Sequence, residues 1–186
     1  MRPEIKVTTI VGVESDLKKS LASLQKKMVY VGVPATTAQE RLKDLVGLAA
    51  KSAGKRKQRI LTVAAFNAIN NAQLVYIHTH GSPLKGIPPR PIIEAAITDR
   101  DNLELITSEL KLAAQASLSG KSEDVTKYLK RTSLLAEGLV RAWFTNPKNH
   151  WAPNAASTIA RKGSDRPLID TAELRKSIIG IVTEGQ

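Results

Sequence analysis

The chain has 186 residues, 42% of them hydrophobic and only 4% aromatic, with no cysteine and a formal net charge of +11. That is material for one domain whose core is built from Leu, Ile, Val and Ala, a modest core that leaves room for stability from neighbouring subunits. A disulfide scaffold, a thiol nucleophile and a cysteine-ligated zinc site are excluded, and a reducing cytoplasm fits the composition. The basic balance points to a polyanion or an acidic protein surface as partner, against the plainer reading of charge spread over solvated helices.

In chain order, Met1 to Val7 has no apolar stretch after its basic residue, and no later apolar run reaches membrane-span length, so no membrane contact is expected. Ile5 to Gly12 is rich in β-branched residues and predicts a short strand. Ser15 and Asp16 can cap a helix running to about Lys27, with Leu17, Leu21, Leu24 and Met28 at helical spacing. Met28 to Val33 predicts a strand with Val29, Val31 and Val33 on one face, stopped by Pro34. Thr36 to Ala53 predicts a second amphipathic helix, with Thr37 and Glu40 as a capping box and Gly54 at its end.

Lys55, Arg56, Lys57 and Arg59 then make the densest basic run, read as an exposed loop or helix end. Ile60 to His80 predicts a helix whose Ala64, Ala68, Ala72, Val75 and Tyr76 share a face, stopped by Gly81, Ser82 and Pro83. Pro88, Pro89 and Pro91 force the next stretch to be extended, with Pro91 placed as a first helical residue. Pro91 to about Leu118 and Ser122 to about Phe144 predict two long helices, broken at Ser119 and Gly120 and packed as an antiparallel hairpin. Ile93, Ile97, Leu103, Ile106, Leu110 and Ala114 are the apolar face of the first. Val125, Leu129, Leu134, Leu135, Leu139 and Trp143 are that of the second. Asn146 to Pro167 is polar and proline-bearing, hence largely loop, with a helical turn over Ala155 to Lys162. Thr171 can cap a last turn through Lys176, and Ser177 to Thr183 predicts a closing strand.

Chemistry-bearing patterns are sparse. His78 and His80 stand two apart, wrong for a helical metal pair, and no carboxylate is close in sequence, so no metal is expected. Asp99, Asp101 and Glu104 read as helix surface charges rather than an acid/base pair. Phosphate-cradling glycine loops, serine–histidine motifs, zinc fingers and stacking boxes do not occur, so neither catalysis nor a cofactor is expected. The run from Lys55 to Arg59 can touch phosphates or an acidic protein without reading sequence.

Two segments are more specific when taken in order. Asn70 to Pro83 reads N-N-A-Q-L-V-Y-I-H-T-H-G-S-P and continues into G-I-P-P-R-P-I-I at Gly86 to Ile93. Trp151 to Ile178 reads W-A-P-N-A-A-S-T-I-A-R-K-G-S-D-R-P-L-I-D-T-A-E-L-R-K-S-I. Together, over roughly a quarter of the chain in motif residues, they resemble the neck, or tail-completion, family of tailed bacteriophages. In that family a helix leads to I-P-x-R-P-F, followed by a Trp-Pro segment and P-L-x-D-T-G-x-L-R-x-S-I. This chain departs at Thr79, His80, Ile92 or Ile93, and Ala172, where the family carries an acidic residue, an aromatic, an aromatic and a glycine.

The resemblance implies one α+β domain over residues 1–186. A small, mostly antiparallel sheet would pack on a long helix, with a helical hairpin over about 91–145 and a C-terminal loop plus strand over about 146–186. It implies a non-enzymatic virion protein, made in the host bacterial cytoplasm, that forms a ring on the DNA exit path. Its partners would be itself, adjacent neck, portal-adaptor or tail proteins, and genome DNA in the lumen. Packing or subunit contact is expected of Ile87, Pro88, Pro89, Arg90 and Pro91, and of Trp151, Pro167, Leu168, Asp170, Thr171 and Leu174. Arg90 is expected to hold a carboxylate or backbone carbonyls, Trp151 to anchor, and Asp170 to pair with Arg166 or Arg175. Competing readings are a tail terminator ring, a stand-alone basic DNA-binding module and a hydrolase with an unrecognised site.

Overall fold

The computed structural model describes residues 18–22, 24–34, 70–170 and 172–184. The readings on Ile5 to Gly12, Ser15, Asp16, Leu17, Thr36 to Ala53, Lys55 to Arg59, Ala64, Ala68 and Thr171 lie outside them. Helical residues at 18–22 and 24–25 lead into strand β1 (Lys27–Gly32). Then come α1 (Asn71–His80), α2 (Ile93–Thr98), α3 (Arg100–Leu118) and α4 (Ser122–Trp143). Two short helices, α5 (Ala156–Lys162) and α6 (Glu173–Lys176), precede strand β2 (Ile179–Glu184). Among the described residues the architecture is α+β: a two-stranded antiparallel sheet packed on the long helix α4, with a helical hairpin and extended loops.

The sheet lies on α4 because its inner face is narrow and apolar. In register, Val29 faces Val182 and Val31 faces Gly180, while Met28 and Tyr30 point outward and are exposed. Gly180 is required by closeness. A Cβ there would stand 2.1 Å from the backbone oxygen of Ser133 on α4. The Gly180 amide also donates to Glu137 Oε2 at 2.8 Å. Glu137 pairs in turn with Arg141 at 2.7 Å, and Arg141 donates to the carbonyls of Ile178 and Lys176, both at 3.0 Å. One helix turn of α4 therefore fixes the last turn and last strand together.

α3 and α4 form the predicted hairpin about Gly120, with Arg131 and Glu109, almost symmetrical about that turn, 2.8 Å apart. Ala113, Ala116, Val125 and Leu129 make a core near the turn, covered by Leu24, Val29 and Val182. At the open end of the hairpin a larger core gathers Ile92, Ala96, Val140, Trp143, Phe144 and Ile178.

The structure corrects several expectations. The first hairpin helix is two helices, since Asp99 leaves the helical region (φ −54°, ψ 134°) and its carboxylate accepts from the Asn102 amide, capping α3. The Asn102 side chain bonds back to the Ala96 carbonyl at 2.8 Å and holds the bend. Pro91 precedes the helix rather than starting it, because its carbonyl is engaged elsewhere. Leu103, Leu110 and Leu134 are exposed, as the buried arc of each helix is narrower than its apolar arc. Tyr76 is exposed too, stacked on His80 at 4.3 Å between centroids. α1 starts at Asn71, where Asn70 and Gln73 form a capping box. The residue before α6 is Ala172, left-handed at φ 62° and with no side-chain cap.

Candidate functional site

α1 ends at Gly81, whose φ of 75° turns the chain sharply out of the helix. A Cβ there would meet the Ile87 oxygen and the Pro89 nitrogen at 2.8 Å, so only glycine lets the outgoing arm fold back on its own base. Ser82 and Ile87 exchange backbone hydrogen bonds, and a tight turn over Pro83–Lys85 closes between them. At the tip of this arm Leu84 is 98% exposed.

The arm returns through Pro88 and Pro89 to Arg90, whose amide donates to the His78 carbonyl at 2.6 Å. Ile92, fully buried, then plugs the main core. Prolines before and after Arg90 stiffen this return and reduce the freedom lost on ordering it.

Arg90 is 5% exposed, and its guanidinium clasps the Trp151–Pro153 segment. Its Nε donates to the Ala152 carbonyl at 3.0 Å, and its Nη2 to the carbonyls of Ala152 (2.8 Å) and Pro153 (3.0 Å). Trp151 closes the clasp in the other direction, donating from Nε1 to the Pro91 carbonyl at 3.0 Å. Its ring meets Phe144 edge-on at 5.6 Å, seating it on the core. The two resembling segments thus hold each other. Arg90 bonds backbone carbonyls of its own chain, and burial draws its pKa below the ordinary value. His78 beside it is pushed below the usual histidine range, by burial first and by the Arg90 charge second, and its Nδ1 has no hydrogen-bond partner among the described residues.

The remaining predicted residues divide. Leu168, left-handed at φ 58°, and Leu174 pack on the main core, with Ile169 between them in sequence. Pro167 is half-buried and Asp170 is exposed. No ion pair joins Asp170 to Arg166 or Arg175 among the described residues. Asp99 and Asp101 both face Lys148, at 3.5 and 2.5 Å, tying the start of α3 to the loop after α4. No group of three or more potential metal-binding side chains occurs among the described residues, and no described helix is long and apolar enough to cross a membrane.

Between the arm and α5 lies an open cleft of about 1220 Å³. Leu74, Ile87, Leu168 and Leu174 supply its apolar lining, and Lys85, Arg161 and Lys162 supply charge. Sequence reasoning passed over Leu84, the carbonyls of Ala152 and Pro153, and the Glu137–Arg141 pair. Two signals were present: a leucine inside a proline-led turn, and opposite charges four apart on a helix.

Fold and clasp together define a small α+β protein that braces a stiff, leucine-tipped arm from within. No family model, curated protein or solved structure matches the chain.

Proposed function

We propose that this chain is a structural, non-catalytic subunit of the neck of a tailed bacteriophage, a head–tail connector or tail-completion protein that packs head-to-tail into a ring. The observation that carries the reading is the braced arm. Arg90 and Trp151 are spent inside the chain on fixing it, while Leu84 at its tip has almost no contact with its own fold. A rigid apolar knob of this kind favours a neighbouring molecule, because its conformational cost is met before contact. Head-to-tail contacts whose rotation closes give a ring. The order of the proline–arginine and tryptophan-led segments supports the same reading by resemblance. A tail terminator ring is a variant of it with different neighbours.

The net charge of +11 favours a second reading, a basic module that binds DNA on its own. Mass spectrometry of purified virions separates the two. The neck reading expects the chain in particles at a fixed stoichiometry, and particles blocked at head–tail joining when it is missing. Tight binding of free DNA by a chain absent from particles would favour the second.

A further inference from the structure

We infer that the cleft between the arm and α5 is a docking groove for an extended, acidic segment of a partner protein, one that carries spaced carboxylates with apolar residues between them. The inference goes beyond ring formation and does not require it.

The groove has the two features such a segment needs. Leu74 on α1, Ile87 on the arm, and Leu168 and Leu174 near the C-terminus give it an apolar lining. Lys85 on the arm and Arg161 on α5 both line it. Both are exposed, and neither side chain has a hydrogen bond or ion pair among the described residues. Nearby cations are already engaged: Arg90 by Ala152 and Pro153, and Lys162 by the Arg166 carbonyl. Two free cations flanking an apolar lining match alternating carboxylate and apolar side chains.

Charge also decides among occupants. The arm of a second copy, Ser82 to Gly86, carries Lys85 and no carboxylate, so it does not match these two cations. A nucleic acid carries a charge at every phosphate, yet Asp170 and Glu173 line the same groove and oppose a continuous anionic backbone. A peptide can place carboxylates only at Lys85 and Arg161 and set a neutral residue against the acidic side.

The test is fluorescence anisotropy of the full chain with a short labelled peptide alternating glutamate and leucine, beside its glutamine–leucine and lysine–leucine analogues and a duplex DNA. The glutamate peptide should bind, the glutamine analogue more weakly. The K85E/R161E double variant, folded by circular dichroism, should bind the glutamate peptide about tenfold less well and gain affinity for the lysine analogue. Leu84→Ser should leave peptide binding intact, which separates this groove from the proposed ring contact. The inference is overturned if the glutamate peptide does not bind, if the double variant binds it unchanged, or if duplex DNA alone occupies the groove and is lost in the double variant.

Discussion

At the scale of single residues, Arg90 concentrates the most consequence. Its three hydrogen bonds link two segments some sixty positions apart in sequence, and a charge-assisted bond to a carbonyl outweighs a neutral one. Arg90→Ala should destabilise the fold by about 3 kcal/mol in urea melts, since it also leaves the Ala152 and Pro153 carbonyls without this donor. Lysine, which lacks the planar fork, should recover only part of that. His78 predicts a pH dependence. Its pKa is lowered in the folded chain, so the unfolded chain takes up its proton first as pH falls. Its contribution to stability is therefore full above the ordinary value of 6.5 and declines as pH drops below it. Melting at a series of pH values should show that decline, and His78→Gln should flatten it.

Elements show which parts of the fold were legible. Val29 and Val31 alternate cleanly, so the strand and its inner face could be read before its partner was known. The hairpin turn at Gly120 was legible as well, between two long helical periods. The break at Asp99 was not, because Asp–Arg–Asp suits a helix surface as well as a cap, and only the Asn102 side chain reaching Ala96 settles which. Leu134 misled for a related reason: helical spacing reports periodicity, not where the packed arc ends. Gly180 carries no signal in the sequence, because only the closeness of the sheet to α4 requires a glycine there. Gly180→Ala should cost about 2 kcal/mol, because the obstructing atom is backbone and cannot turn aside. Thermal unfolding would measure it, with Gly32→Ala, where the added Cβ meets nothing within 4 Å, as the neutral control.

For the whole molecule, the candidate site was half visible. Arg90 and Trp151 stood out through their proline surroundings, but that each clasps the backbone beside the other could not be read, since spacing in sequence carries no information about which distant carbonyl a guanidinium meets. Leu84 was invisible for the opposite reason: an apolar residue in a turn is unusual only once its exposure is known. We therefore propose the tip, Leu84, rather than the proline–arginine connector that supports it, as the intersubunit contact. Light scattering of the purified chain at rising concentration, beside folded Leu84→Asp, measures that most directly. A closed oligomer of fixed mass that falls to monomer in the variant, with its circular dichroism spectrum unchanged, is the predicted result. A monomer at every concentration, or an oligomer indifferent to Leu84, would contradict it.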